Sequence, residues 1–545
     1  MIPHITFLAF LLILGNSDAS TPRVDPLVNT NLGLIRGVRA SDGDYAMFMG
    51  IPYAKVNASN PFGKALPPEP FDGVFEAYDD SAICPQIEEF NNTSVGTLDC
   101  LHLNVYVPTK ANTRNPVPVL VWIYGGGFSI GFSGRYLYGP KYLVRHDIIL
   151  VTLNYRLGPY GFMCLDTPEN PGNEGFKDQV LALRWIKQNI QAFGGDPNKI
   201  TLVGESAGGV AVDFHLLSQQ EKLFDRAILQ SGTAELPIHP EPVKDSPLIL
   251  AQHLGFDTSD INEAITYLSQ LDTNLIIEAT SELNLSFRLC VEKPFDGVES
   301  FITEDWLQAS MPKVKRMPIL IGFNENEKIS SYFGSDAGDL NPNVFKDKLN
   351  LGFDISDPNF AGMEELVKRF YLGDEEVSAE NILKIADFDS DYTYNHPTYR
   401  SIAKYLDNDA SDIYFYVFSY VGDRNFARRK KNINVGGAVH ADEIGYLFDI
   451  SFFDETPNDE DQLMIDRITT LWANFAKDGN PNPILRTSDL LPVAWTPIKK
   501  NTPYYYLNLG SELTLETKPF HRRMAFWDLF YRTNRNLQII HPESD

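Results

Sequence analysis

Short apolar runs alternate with helical patterns through the first half of the chain. Residues 119–124 and 148–154 are continuous apolar runs, as expected for strands buried on both faces of a sheet. Between residues 177 and 190 the apolar positions recur at helical spacing, and Gly-Gly-Asp-Pro at 194–197 ends that pattern. Residues 200–203 predict the next strand. This alternation indicates an α/β fold with a large, mostly parallel central sheet flanked by helices.

The pattern continues toward the C-terminus with two further strands and two late helices. We expect strands over 318–323 and 413–418, and helices over 463–477 and 522–532. No low-complexity tract, fixed-period repeat or linker-like stretch separates these elements. Residues 20–545 are therefore expected to form a single domain.

The first residues read as a cleavable secretory signal. An apolar run over 5–14 is followed by the small residues Ser17 and Ala19, although no Lys or Arg precedes it. The alternatives are an uncleaved anchor and a buried strand. The run is too short to span a bilayer, no other stretch is long enough, and residues 541–545 carry no lipid-anchor signal. We expect a signal peptide over 1–19, no membrane span and a secreted, extracellular protein.

An oxidising compartment changes how the four cysteines are interpreted. Cys84 and Cys100 bracket a polar segment that contains two glycosylation sequons, which suits a cross-linked surface loop. The hypothesis is that Cys84 pairs with Cys100 while Cys164 and Cys290 stay reduced. The sequence has four sequons for N-glycosylation, at Asn57, Asn91, Asn92 and Asn284.

Charge and residue spacing narrow the range of partners. The chain has 46 basic and 72 acidic residues, so its net charge is −26 and nucleic acid would be repelled. No cluster of His, Cys or Asp has metal-ligand spacing, and no phosphate-binding loop is present. We expect neither a metal nor a cofactor, and a small molecule as the partner. The sequence does not indicate an oligomeric state.

A candidate nucleophile follows the strand at 200–203. Gly204-Glu205-Ser206-Ala207-Gly208 has the G-x-S-x-G pattern, in which a tight strand-to-helix turn exposes the serine hydroxyl. A second match places Ser129 between Gly127 and Gly131. The residues after Gly131 form turns and start no helix. The strand–turn–helix requirement favours Ser206 over Ser129.

The glycine run at 125–127 is better suited to binding an oxyanion than to exposing Ser129. Attack by a serine on an acyl carbon makes an oxyanion, which backbone N–H groups stabilise best where side chains do not obstruct them. The amides of Gly126, Gly127 and Ala207 are the expected donors. The alternative is a flexible glycine hinge.

Together these residues resemble the type B carboxylesterase/cholinesterase family, and within it the insect carboxylesterases. The resemblance covers nearly the whole chain after the signal. Its further motifs are Gly-Ile-Pro-Tyr-Ala at 50–54, Asp-Cys-Leu-His-Leu-Asn-Val-Tyr at 99–106, Asn-Tyr-Arg-Leu-Gly at 154–158, Phe-Gly-Gly-Asp-Pro at 193–197 and Asn-Phe-Ala-Lys-Asp-Gly-Asn-Pro at 474–481. It implies an α/β-hydrolase fold and a Ser-Glu-His triad in that order along the chain.

The resemblance also selects the other two triad members. His440 lies in a segment, 437–448, that is similar to the family's histidine loop, and a neutral imidazole can accept the serine proton. Glu327 aligns with the family's acid, which would orient that imidazole. Relatives usually have glycine after this glutamate, whereas this chain has Lys328, so Glu325 is a rival.

The implied activity is hydrolysis of carboxylic esters. Cholinesterases bind choline over a tryptophan in the first disulfide loop, and residues 84–100 contain no Trp, so uncharged esters are favoured. Insect relatives include detoxifying, pheromone- or odorant-degrading and juvenile hormone esterases. The last usually have Gln where this chain has Glu205. Non-catalytic adhesion relatives lack triad members, whereas all three are present here.

Overall fold

The computed structural model describes residues 26–237, 242–334, 340–482 and 488–539. The predicted signal peptide lies outside these ranges. The described strands are β1 (Leu27–Thr30), β2 (Gly33–Arg36), β3 (Val38–Arg39), β4 (Tyr45–Pro52), β5 (Val74–Glu76), β6 (Gln86–Ile87), β7 (Ser94–Val95), β8 (His102–Pro108), β9 (Val117–Ile123), β10 (Ile149–Leu153), β11 (Gly195–Glu205), β12 (Arg226–Gln230), β13 (Ile319–Asn324), β14 (Ile413–Phe418), β15 (Tyr505–Leu509) and β16 (Leu513–Thr517).

Sixteen α-helices are described, and most of them follow strands of the main sheet. They are α1 (Arg135–Tyr138), α2 (Lys141–Val144), α3 (Gly158–Phe162), α4 (Glu174–Asn189), α5 (Ala207–Leu217), α6 (Ser246–His253), α7 (Ile261–Leu268), α8 (Thr273–Glu282), α9 (Val344–Leu349), α10 (Phe360–Leu372), α11 (Ile382–Ser390), α12 (His396–Asp407), α13 (Phe426–Lys430), α14 (Ile444–Leu447), α15 (Asp459–Asp478) and α16 (His521–Thr533). A π-helical turn at Asp391–Asn395 joins α11 to α12. None of the helices in the described ranges is long and apolar enough to cross a membrane.

Eleven strands form the main sheet, in the order β16-β15-β14-β13-β12-β11-β9-β10-β8-β4-β3. The pairs from β10 through β9, β11, β12, β13 and β14 to β15 are parallel, and the strands at both edges are antiparallel. This confirms the predicted α/β class. Two small sheets, β1-β2-β5 and β6-β7, lie outside it.

The central strands are buried because their side chains are apolar on both faces. All residues of β10, β13 and β14 are buried, and α5 and α15 pack against the sheet. Parallel strands end at a common edge, where α/β proteins place their ligand sites. The loops after β11, β13 and β14 therefore converge, and they carry Ser206, Glu327 and His440 respectively.

Two disulfides are present among the described residues. Cys84 pairs with Cys100, as predicted. Cys164 pairs with Cys290, so the hypothesis that these two stay reduced is wrong. The two cysteines are separated by 126 residues in the sequence, so the sequence did not indicate that they pair. The fold brings the loop after α3 against the loop after α8, where Asn173 also donates a hydrogen bond to the Cys290 carbonyl at 2.8 Å.

Candidate active site

Ser206 occupies the sharp turn between β11 and α5. Its backbone has φ 56° and ψ −125°, a conformation that a non-glycine residue adopts only where the surrounding structure enforces it. Gly204 and Gly208 make the turn possible. A Cβ on Gly204 would lie 2.3 Å from the Gly208 carbonyl, and one on Gly208 would lie 2.0 Å from the Ile123 oxygen. The turn thus presents the serine side chain beyond the end of the sheet.

The Ser206 hydroxyl faces the imidazole of His440. Its Oγ lies 2.8 Å from Nε2, and the opposite ring nitrogen, Nδ1, lies 2.7 Å from Oε2 of Glu327. Glu327 is fully buried and its Oε1 accepts a 2.7 Å hydrogen bond from the amide of Asn324. A carboxylate held in this way orients the ring so that Nε2 can accept the serine proton.

The structure separates the two glutamates that compete for the acid position. Glu327 contacts His440, whereas the Glu325 carboxylate lies against Gly437. Lys328, the residue after Glu327, does not disturb the contact between Glu327 and His440. Its amide donates to Ser390 Oγ at 3.0 Å, and its ammonium lies over the ring of Tyr394.

The loop that carries His440 is fixed by its neighbours on both sides. The His440 amide donates to the Glu327 carbonyl at 3.2 Å, and Ala441 has a positive φ of 69°. Asp442 accepts hydrogen bonds from the Val439 amide and from Asn425. Burial raises the pKa of Asp442 to about 7. The backbone around the imidazole is thus determined by hydrogen bonds rather than by the histidine itself.

The glycine run packs against the serine turn. A Cβ on Gly125 would lie 2.9 Å from Cβ of Ser206, and one on Gly126 would lie 2.2 Å from the Ile130 oxygen. Within the described ranges, the amides of Gly126 and Gly127 donate to no protein acceptor. Ala207 begins α5, so its N–H has no preceding helical turn to bind. The amides of Gly126, Gly127 and Ala207 therefore remain candidates for oxyanion donors.

The second G-x-S-x-G match has a different environment. Ser129 is exposed, its hydroxyl donates to the Gly127 carbonyl at 3.3 Å, and it accepts from Arg288 at 3.2 Å. No helix follows directly, since α1 begins at Arg135. The structure therefore brings His440 to Ser206 and not to Ser129.

Two further buried carboxyl groups, those of Glu205 and Glu443, lie close to the site. Glu205 Oε1 is 3.3 Å from His440 Nε2, and Glu443 accepts hydrogen bonds from Gln230 and Asn324 at 3.0 and 2.6 Å. Burial, and then the charges of nearby carboxylates, hold the pKa of Glu205 well above its ordinary value. Burial also raises the pKa of Glu443. Both groups therefore ionise less readily than an exposed glutamate.

A cavity of about 300 Å³ opens onto Ser206 and His440. Gly126 and Glu205 are among the residues that line it, and so are Lys430 of α13 and Glu89 of the Cys84–Cys100 loop, which form an ion pair. In the described part of the chain, no group of three or more His, Cys, Asp or Glu residues could hold a metal ion. The cavity therefore gives a small molecule access to the Ser206 hydroxyl and the His440 imidazole.

Sequence reasoning gave no role to Glu443, Asn324, Gln230 or Tyr394. Glu443 lies three residues after His440, so its position in the histidine loop was the available indication. Tyr394 gives no such indication, because the π-helical turn that brings it to the imidazole lies 46 residues earlier.

The predicted sequons lie on the surface. Asn91, Asn92 and Asn284 are exposed and Asn57 is half-buried. All four are in turns or loops rather than in the central sheet.

Comparison with known proteins agrees with this architecture. The profile of the carboxylesterase family matches residues 24–527. The chain is 31% identical to a juvenile hormone esterase of Heliothis virescens, over 97% of this chain and 99% of that protein. It is 34% identical to esterase FE4 of Myzus persicae, over 86% of each. It is 31% identical to a cholinesterase of Mus musculus, over 93% of this chain and 87% of that protein.

A solved structure has the same fold. The crystal structure of juvenile hormone esterase from Manduca sexta, with OTFP covalently attached, superposes with a TM-score of 0.80. The two chains are 28% identical, and the match covers 93% of this chain and all of the other.

Proposed function

The chain belongs to the carboxylesterase family, and on this premise we propose that it hydrolyses carboxylic esters through an acyl-enzyme on Ser206. The observation that carries the proposal is the continuous hydrogen-bonded path from Ser206 through His440 to Glu327, with contacts of 2.8 and 2.7 Å. A non-catalytic, adhesion-type relative would have no use for that arrangement. These residues are the proposed nucleophile, general base and orienting acid.

The chemistry follows from this geometry. Nε2 of His440 takes the serine proton as Oγ bonds to the ester carbonyl carbon. The carbonyl oxygen becomes an oxyanion, stabilised by the amides of Gly126, Gly127 and Ala207. The C–O bond to the alcohol then breaks, and the alcohol leaves with the proton from Nε2. Water repeats the sequence, releasing the carboxylic acid and restoring the serine.

We assign uncharged esters as the substrate class. The Cys84–Cys100 loop presents Glu89 and Phe90 near the cavity instead of a tryptophan, and Lys430 lies 4.6 Å from the Phe90 ring centre. An ammonium that already occupies this aromatic face leaves no equivalent surface for a quaternary ammonium group. Choline esters are therefore disfavoured.

A more specialised ester is the second candidate. Two juvenile hormone esterases are among the relatives, and so is the solved structure described above. Their names favour a hormone ester, whereas Glu205 in the serine turn does not. Kinetic comparison of a juvenile hormone, a pheromone-type acetate and a short nitrophenyl ester would separate the hormone, pheromone and general carboxylesterase functions.

The proposed location is outside the cell, as a glycoprotein. Two disulfides support an oxidising compartment. The exposed sequons at Asn91, Asn92 and Asn284 are compatible with glycosylation.

Hydrolysis of p-nitrophenyl butyrate by the purified protein tests the proposal. We expect turnover by the wild type, and a fall of roughly 10⁶-fold in kcat for Ser206→Ala, as for other serine hydrolases that lose their nucleophile. Ser129→Ala is the matched control and should keep wild-type activity. Unchanged activity in Ser206→Ala would contradict the mechanism.

A further inference from the structure

The ring of Tyr394 contacts the imidazole of His440. The two ring centres are 4.7 Å apart, with planes inclined by 31°. The Tyr394 hydroxyl lies 3.5 Å from Nε2, the nitrogen that faces Ser206. The tyrosine is 8% exposed, so its ring is a fixed wall rather than a mobile surface group.

Tyr394 lies in a π-helical turn, which places its ring next to the imidazole of His440. The turn at Asp391–Asn395 inserts an extra residue between α11 and α12, and such turns change the direction of the side chains that they carry. Asp391 holds the turn in place. Its carboxylate accepts hydrogen bonds from Asn395 at 2.8 Å and from Tyr371 at 2.7 Å. The backbone that carries Tyr394 is therefore fixed independently of the imidazole.

Lys328 contacts the same ring. Its ammonium lies 5.4 Å from the centre of the Tyr394 ring, within the range of a cation–π interaction. Burial lowers the pKa of this lysine, while the charge of Asp389 on α11 opposes that effect. Lys328 directly follows Glu327 and its amide binds Ser390 at the end of α11. Lys328 thus joins the loop of the proposed acid both to the end of α11 and to the ring of Tyr394 in the turn that follows.

The hydroxyl of Tyr394 stays protonated in this setting. Burial, and then the carboxylates of Glu327 and Glu205, hold the pKa of Tyr394 well above its ordinary value. A hydrogen bond with Ser206 opposes this to a smaller extent. A neutral phenol next to Ser206 and His440 can share hydrogen bonds with both and adds no charge.

We propose that Tyr394 is a positioning residue for His440, and that Lys328 in turn fixes the Tyr394 ring. The inference rests on the esterase mechanism proposed above. The tilted ring packs against the imidazole and prevents it from rotating away from Ser206. The Tyr394 hydroxyl lies 3.5 Å from Nε2. This arrangement also gives Lys328 a role in this chain.

Substitutions at Tyr394 separate the ring from the hydroxyl. Tyr394→Leu removes both and should lower kcat about a hundredfold, the cost expected when a reacting group is misplaced by about 1 Å, with KM nearly unchanged. Tyr394→Phe restores the ring and should recover most of kcat. Tyr392→Phe is the matched control, since the Tyr392 hydroxyl contacts the Leu349 carbonyl instead of the site. Thermal midpoints check that each variant is folded.

A double-mutant cycle tests the role of Lys328. Because Lys328 acts through Tyr394, Lys328→Met should lower kcat in the wild-type background and have no further effect in Tyr394→Leu. Equal effects of Lys328→Met in both backgrounds would overturn its assigned role.

The rate of Ser206 labelling by diethyl p-nitrophenyl phosphate gives a second readout, which needs an activated serine but no ester turnover. It should fall in Tyr394→Leu and recover in Tyr394→Phe. A folded Tyr394→Leu variant with wild-type kcat and labelling rate would overturn the inference. A wild-type protein that is labelled but hydrolyses no ester would contradict the proposed function instead.

Discussion

Glu205 Oε1 lies 3.3 Å from Nε2 of His440, the same nitrogen that faces the Ser206 hydroxyl. The carboxyl group is 3% exposed, and Oε1 has no hydrogen-bond partner in the described structure. Its pKa is raised chiefly by burial, so the group stays protonated above the pH at which an exposed glutamate ionises.

The raised pKa of Glu205 predicts a pH-dependent stability. The unfolded chain ionises this group at the ordinary glutamate pKa, whereas the folded chain does so only at higher pH. Its contribution to folding is therefore fully present below the unfolded pKa and is lost as pH rises toward the folded value. The free energy of unfolding, measured with urea, should fall as pH rises above the ordinary glutamate pKa, and Glu205→Gln should reduce this fall. If the free energy of unfolding depends on pH equally in the wild type and in Glu205→Gln, Glu205 is ionised in the folded protein.

Substitution of Glu327 and substitution of Glu325 should have very different effects on kcat. Glu327→Gln leaves the shape intact but removes the charge that orients His440, so kcat should fall by about 10⁴-fold, as in other triads that lose the acid. Glu325→Gln is the matched control, with a carboxylate two residues away and no contact with the imidazole. Assay of both with p-nitrophenyl butyrate checks this. A larger loss in Glu325→Gln would reverse the assignment.

The second disulfide predicts a large stability change. Cys164 and Cys290 close a loop over a sequence separation of 126 residues, and loss of such a bond costs ~2–5 kcal/mol. The Cys164→Ala/Cys290→Ala variant should unfold at lower temperature, and peptide mapping without reduction should find two cross-linked pairs in the wild type. Free thiols at these positions in the purified, unreduced protein would contradict the pairing.

The cavity wall predicts a preference for neutral alcohol groups. The Lys430 ammonium rests on the Phe90 ring beside Glu89, so a quaternary ammonium meets an occupied site. Butyrylcholine should have a lower kcat/KM than 3,3-dimethylbutyl butyrate, its uncharged isostere. Lys430→Met should reduce the difference in kcat/KM between the two esters. Equal kcat/KM values for both esters in the wild type would show that Lys430 does not select against quaternary ammonium groups.

Regular elements were predictable from the sequence because burial and hydrophobic periodicity coincide in them. The strand expected at 413–418 matches β14, and the helix expected at 463–477 lies inside α15. The serine turn was also predictable from the sequence, because close backbone contacts require glycine on either side of Ser206.

Contacts that join distant segments were not predictable in this way. Nothing local to Cys164 identifies Cys290 as its partner, because the pairing depends on how α3 and the loop after α8 meet. Tyr394 reaches His440 through an irregular turn inside a helix, which helical periodicity does not reveal. His440 and Glu327 were expected from family resemblance, since ten histidines compete for the base and sequence spacing does not choose among them.

Peptide mapping after reaction with a neutral organophosphate tests the proposed nucleophile most directly. A serine activated by His440 should form a single covalent adduct on the peptide that contains Ser206, and Ser206→Ala should form none. An adduct on the peptide that contains Ser129, with Ser206 unmodified, would contradict the account.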